Sequence, residues 1–217
     1  MITQKMNRAL SNLVVAVWLV AGAGAEARNL IQNGSFEAPV EPGAGVYVYV
    51  APSPLNSPTG WTGGADIFQV PAGAAPFSFA GLEWPAAEDG IQYDDIGTDL
   101  YAAALTQVVN VPRAGLYTLT WFDNDAYGFA YNYQVLLNGN IEATPNGVGG
   151  PDWTPRSLAL TLNAGNNTLA FLGQPQYDTL LDNVGLQPAQ AVPDVGGTFF
   201  LLEMAVLGVA TFRRCLS

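Results

Sequence analysis

The side chains that could do chemistry in this chain are carboxylates, amides and aromatic rings. There is no His, the single Cys is Cys215, and between Arg28 and Gln190 only three basic residues (Arg28, Arg113, Arg156) face fifteen acidic ones. Without His or Cys in that stretch, Ser-His-Asp and Cys-His nucleophile systems and the usual zinc ligand sets are excluded. Three arginines do not make the cationic face that a phosphate backbone requires, so no nucleic-acid partner is expected. Hard cations held by oxygen ligands remain open, as do carboxylate pairs acting on sugars.

Three groupings carry that remaining chemistry. The first is Asp182, which shares the parity of Val184 and Leu186. On that alternation it points toward the core, where a buried carboxylate needs either a cation or several hydrogen-bond donors. The second is the run Asp123-Asn124-Asp125-Ala126-Tyr127-Gly128-Phe129-Ala130-Tyr131. It mixes rings that stack on sugar C–H faces with groups that bond hydroxyls. Trp84 and Trp153 lie in Pro-rich stretches and join it as candidate ligand contacts, giving Trp84, Asp123, Asp125, Tyr127, Tyr131 and Trp153. Core packing is the competing role for each of these rings, and it is the expected one for Trp61 and Trp121. The third grouping is the acidic clusters Glu88-Asp89, Asp94-Asp95 with Asp99, and Asp123 with Asp125. A glycosidase needs two carboxylates at a set separation, one with a raised pKa. A solvated acidic surface accounts for the clusters without catalysis, and a non-enzymatic chain is expected.

The elements that must position these residues are strands. Tyr117, Leu119 and Trp121 alternate with Thr118 and Thr120; Tyr131, Tyr133, Val135 and Leu137 share one face of the next run. Leu158, Leu160 and Leu162 share another, followed by Leu169 and Phe171, then Val184 and Leu186. This is period-2 patterning, with no long window at the helical period. Pro112-Arg113-Ala114-Gly115 links two strands, Asn138-Gly139 signals a tight hairpin, and Ala164-Gly165-Asn166-Asn167 signals a second. Glu41 to Pro85, rich in Gly, Pro, Ala and Ser, reads as long loops with a few short strands. The expected fold is all-β, a sandwich or barrel over residues 28–190.

The opening Asn29-Leu30-Ile31-Gln32-Asn33-Gly34-Ser35-Phe36-Glu37, the internal Asp89-Gly90-Ile91-Gln92-Tyr93 and Ala114-Gly115-Leu116-Tyr117-Thr118-Leu119, and the closing Leu181-Asp182-Asn183-Val184-Gly185-Leu186 occur in an order similar to secreted jelly-roll domains of the galactose-binding-like superfamily, which includes carbohydrate-binding modules. The resemblance implies a jelly-roll β-sandwich. It also implies that Glu37 and Asp182 meet across the terminal strands and, with backbone carbonyls, hold a structural calcium. Backbone N–H donors to Asp182, with Glu37 solvated, are the competing arrangement.

The two ends read as addresses. Lys5 and Arg8, the apolar run Leu13–Val20 and the closing Ala25-Glu26-Ala27 form the three regions of a cleavable signal peptide, residues 1–27, with Ala25 and Ala27 the small residues of the A-x-A signal and cleavage expected before Arg28; an uncleaved membrane anchor is the alternative. At the other end, residues 191–217 contain Val192-Pro193-Asp194, a stretch from Val195 to Phe212 of about 27 Å if helical, and Arg213-Arg214. The stretch approaches membrane-spanning length, with Glu203 as a costly interruption; an amphipathic or buried C-terminal helix is the alternative.

This tail resembles the VPD variant of the PEP-CTERM sorting signal found on exported bacterial proteins. The resemblance implies that Val192, Pro193 and Asp194 are read by an exosortase, with Arg213 and Arg214 as the stop. Val195-Gly196-Gly197 departs from the usual Ser/Thr and Gly-Ser pattern. The combined expectation is an exported cell-surface or matrix protein, held transiently in the membrane by its C-terminal helix. Its role is non-catalytic glycan binding or structure; self-assembly or protein binding, and a carboxylate-dependent glycan-active enzyme, are the alternatives.

Overall fold

The computed structural model describes residues 28–38, 58–63, 66–79, 82–97, 103–175 and 178–189, the side chains of residues 66, 77 and 79 excepted. The expected signal peptide with Ala25 and Ala27, and the expected sorting tail with Val192, Pro193, Asp194, Arg213 and Arg214, lie outside the described residues.

Every regular element among them is a strand: β1 (Asp66–Gln69), β2 (Phe77–Phe79), β3 (Leu82–Trp84), β4 (Gln92–Asp95), β5 (Ala104–Val111), β6 (Gly115–Asn124), β7 (Ala130–Leu137), β8 (Asn140–Ala143), β9 (Asn146–Val148), β10 (Thr154–Leu162), β11 (Gly165–Gly173) and β12 (Leu180–Pro188). One sheet has the order β1-β4-β12-β6-β10 and the other β5-β11-β7-β8, with β9 also paired to β7; all pairings are antiparallel. We call them the first and second sheet. A small hairpin, β2-β3, stands apart.

The alternating residues meet between the sheets. Tyr117, Leu119 and Trp121 of β6 pack against Tyr131, Tyr133 and Val135 of β7 and against Leu169 and Phe171 of β11, all nearly fully buried. Trp61, Trp121 and Tyr133 surround Phe171 with ring centroids 5.7–6.4 Å away, the tilted and edge-on spacing that aromatic quadrupoles favour. Trp61 and Trp121 are core, as expected.

Asn138-Gly139 makes the predicted hairpin between β7 and β8, both residues at positive φ (51° and 82°) as the turn demands. The Ala164–Asn167 segment does not: β10 belongs to the first sheet and β11 to the second, so this connection crosses the sandwich. Pro112–Ala114 crosses likewise between β5 and β6. Turn residues fix where the chain reverses, not which strand it then pairs with. The repeated crossing between sheets is the path of a jelly roll.

The opening motif seals one end. Leu30 N–H donates to Leu186 O and Val184 N–H to Gly34 O, both at 2.8 Å, so the first described residues dock along β12. Asn33 sits at φ 51°, and its side chain exchanges two bonds with the backbone of Ala38. That turn drives Phe36 into the core, fully buried beside Trp61.

The first sheet is covered on both faces. Its outer face carries a second, smaller core of Phe68, Val70, Trp84, Ala87, Tyr93, Ala126 and Leu180. Phe68 stacks on Trp84 and Tyr93 at 4.5 and 5.5 Å, which holds segment 82–93 against the sheet.

Candidate functional site

The two faces of the first sheet treat their carboxylates differently. On the inner face, Asp123 near the end of β6 is fully buried. Its Oδ2 receives Arg156 Nε at 2.8 Å and the Tyr133 hydroxyl at 2.6 Å, and its Oδ1 receives the Tyr131 hydroxyl at 2.8 Å. Trp121 donates its indole N–H to Tyr133, and Arg156 Nη2 donates to Asn146 O at 2.7 Å. Burial, then the Asp123 charge, pushes both tyrosines above their ordinary range. Burial pulls Arg156 down, but its bond to Asp123 and that charge leave it raised overall. The result is a charge-balanced latch joining β6, β7 and β10.

On the outer face stands Asp182. The strand register slips between Asp182 and Gly185, and Asn183 takes φ 49°. This bulge inserts one extra residue, so Asp182 pairs with Phe122 on the outer face while Val184 and Leu186 remain in the main core. The parity argument from sequence therefore gave the right burial and the wrong face.

Asp182 is fully buried and accepts only backbone N–H bonds in this structure: Oδ2 from Glu88 and Asp89 at 2.9 and 3.0 Å, Oδ1 from Asn183 at 2.7 Å. Glu37 acts on the same loop. Its Oε1 accepts from Ile91 and Gln92 N–H at 2.8 and 3.0 Å. Gly90, immediately before them, sits at φ +72°, and a Cβ there would fall 2.3 Å from Glu37 Oε1, so only glycine lets the carboxylate in.

Glu37 and Asp182 thus both bond loop 88–92 through backbone amides, so the amide-donor arrangement is present there, with Glu37 bonded rather than merely solvated. The donor set fits a hard cation in kind, being two carboxylates with no cationic partner, but it is not a complete ligand shell. No group of three or more His, Cys, Asp or Glu is placed to hold a metal among the described residues, so backbone carbonyls would have to finish the coordination. Burial raises Asp182 to about 8 despite its three amide donors, which means that its charge is undercompensated.

Of the six candidate ligand contacts, four are inside the molecule. Trp84 is 5% exposed and stacked on Phe68; Asp123 and Tyr131 belong to the latch; Asp125 is buried and caps the Ala126 N–H through Oδ1. The acidic clusters are also less solvated than expected. Asp94 and Asp95 lie buried in β4, with Asp95 Oδ1 bonded to Gly97 N–H, while Asp89 is exposed.

Tyr127 and Trp153 come together. They wall an open depression of about 510 Å³ on the outer face of the first sheet, with Phe122 at its base and Glu88 and Asp152 on its rim. Trp153 is half-buried, edge-on to Tyr93 at 5.3 Å, with its indole N–H fixed to Ala86 O at 2.7 Å. Tyr127 sits in a turn closed by Phe129 N–H donating to Ala126 O at 3.2 Å, and its own backbone N–H donates to Glu83 O at 2.9 Å.

The residues that build this wall escaped the sequence reading. Asn124 grips Gly150 with both ends of its amide (3.0 and 3.1 Å), which brings 150–153 beside the end of β6. A Cβ on Gly149 would lie 2.1 Å from Ala126 O, so glycine is required where the two loops touch. The adjacent Gly149-Gly150 was the one legible hint of such an approach. Partial burial first, then the Glu83 and Asp152 charges, raises the Tyr127 phenol, a sign of negative potential at the rim.

No protein-family pattern matches this chain, and no curated protein matches it. Solved structures do. A family 35 carbohydrate-binding module from Clostridium thermocellum aligns over 58% of this chain and 100% of its own length, with 21% identity and a TM-score of 0.42. A family 61 carbohydrate-binding module solved with β-1,4-galactotriose aligns over 75% of this chain and 100% of its own, with 17% identity and a TM-score of 0.47. A family 35 module from Paenibacillus barcinonensis aligns over 60% and 94%, with 15% identity and a TM-score of 0.42. Similarities this distant assign no ligand to this chain.

Proposed function

We propose that this chain is an exported, non-catalytic glycan-binding module whose site is the Tyr127–Trp153 depression. One observation supports this above the rest: two half-buried rings and two carboxylates converge on a concave, open surface with an apolar floor. Rings stack on the C–H faces of a pyranose while carboxylates accept its hydroxyls. The fixed indole of Trp153 and the turn-locked Tyr127 lower the ordering cost of binding.

Residues 28–190 form the proposed binding domain. Glu37 and Asp182 are proposed to hold a structural calcium that stiffens loop 88–92, the loop that also supplies Glu88 to the rim. Residues 1–27 are the proposed export signal. Residues 191–217 are the proposed sorting tail, with the Val192-Pro193-Asp194 triplet as the exosortase partner site and the apolar stretch as a transient membrane anchor. The product would then reside at the cell surface or in the extracellular matrix.

A glycan array probed with the full chain tests the reading. Binding to one glycan class, lost on Tyr127→Ala, is expected; an array blank in both calcium and chelator would overturn it. The alternative of a protein-binding matrix component draws on Phe129, Ile141 and Val148, each more than half exposed on or beside β7–β9. An array-negative chain that self-associates, and loses that on Phe129→Ser, would favour it.

A further inference from the structure

The charge around the depression narrows the ligand. Its rim carries Glu88 and Asp152, with Glu83 close enough to act on Tyr127, and no basic residue among the described residues lines it. Basic residues elsewhere cannot compensate. Arg156 is on the inner face, bound to Asp123. Arg113 lies in the turn before β6, whereas Phe122 and the depression are at the far end of that strand, about 24 Å away at strand rise. Leu30 is bonded to Leu186 and Gly34 to Val184, so Arg28 lies past Leu186 on the side away from Asp182, and Leu186 itself pairs with Leu119, about 10 Å from Phe122 at strand rise. From residue 29 to residue 212 the sequence contains no other Lys or Arg, so no loop can bring a further cation to the site.

We propose that the depression selects glycans bearing protonated amino groups, that is, amino-sugar polymers with free amines, over neutral and acidic ones; this rests on the glycan-binding reading above. The chemistry has two parts. An ammonium over the face of Tyr127 or Trp153 gains cation–π attraction that a hydroxyl does not. The same ammonium is drawn to the exposed Asp152 and the half-buried Glu88 on the rim. A uronate-bearing polymer meets only like charge there, with no cation among the described residues placed to offset it.

Isothermal titration of the full chain, in calcium at mildly acidic pH, with short oligomers of glucosamine, N-acetylglucosamine and glucuronate provides the test. The expected result is that the glucosamine oligomer binds about ten-fold tighter than its acetylated counterpart. That preference should shrink toward unity in high salt, and the glucuronate oligomer should bind weakest. Asp152→Asn should reduce the glucosamine-to-N-acetylglucosamine preference. Equal affinity for the two hexosamine oligomers, or tightest binding of the uronate, would overturn the charge selection while leaving glycan binding intact. No binding of any oligomer, together with a blank array, would overturn both.

Discussion

Two carboxylates buried in one sheet show how the same residue type can serve different ends. Asp123 faces inward, where a guanidinium and two phenols satisfy it; Asp182 faces outward, where three amide N–H groups are its partners. The first is a closed account of charge: nothing is left over for a ligand, and its role is to fasten β6, β7 and β10. The second is open, since amides bring partial charges only, and burial raises Asp182 to about 8. Burial of an acid alone therefore does not distinguish the two; what distinguishes them is that Asp123 has a full counter-charge and Asp182 does not.

The sharpest way to break this comparison is to remove the inner acid. Asp123→Ala leaves Arg156 without its buried partner and two phenols without acceptors, and should cost about 3–5 kcal/mol in chemical denaturation. A loss below about 1 kcal/mol would show that the latch is not structural. Asp182→Asn tests the outer acid. In calcium it should lower the melting temperature by several degrees, equivalent to about 2 kcal/mol, and abolish any response to chelator. An Asn variant as stable as the parent in calcium would remove the cation from the account.

The pH dependence of the parent sharpens the same point. Asp182 has its folded pKa raised from 3.8 to about 8, so between those values the folded state binds more protons than the unfolded state. In chelator, stability from this group is therefore full below pH 3.8 and falls as pH rises toward 8. Calcium should flatten that fall by stabilising the ionised form. Melts across this range, with and without chelator, check the sign; a rise in stability with pH in chelator, with no such change in Asp182→Asn, would show that the site is compensated without a cation. The smallest expected effect is at the depression's edge. Tyr127→Phe keeps the ring and should change glycan affinity less than about three-fold, against at least about ten-fold for Tyr127→Ala. Equal losses would assign the contact to the hydroxyl and not to stacking.

Much of the fold was legible because the period-2 runs are long and apolar: the strand residues of β6, β7, β11 and the end of β12 fall on the core face as their alternation predicts. The pairing of strands was not legible, since a turn signal such as Ala164–Asn167 looks the same whether the chain folds back within a sheet or crosses to the other. Asp182 was misplaced because one bulge at Asn183 reverses the alternation, and Asn at positive φ leaves no mark distinct from an ordinary Asn. Tyr127 and Trp153, two of the candidate ligand contacts, line one depression. Trp84 was not separable from them, because composition cannot tell a Pro-flanked ring that stacks under a loop from one that faces solvent. Asp123 was hidden in the same way: its burial depends on an Arg and two Tyr from other strands; Asp125 is buried against the local backbone, accepting from Ala126 N–H.

The most direct test of the central claim is calorimetric titration of the best array ligand into the full chain and into Trp153→Phe and Trp153→Ala, with melts of each to show that they remain folded. Binding retained within a few-fold in Phe and weakened at least about ten-fold in Ala is the predicted pattern for a stacking wall at this depression. Affinity unchanged in a folded Trp153→Ala chain would contradict it and place the glycan elsewhere.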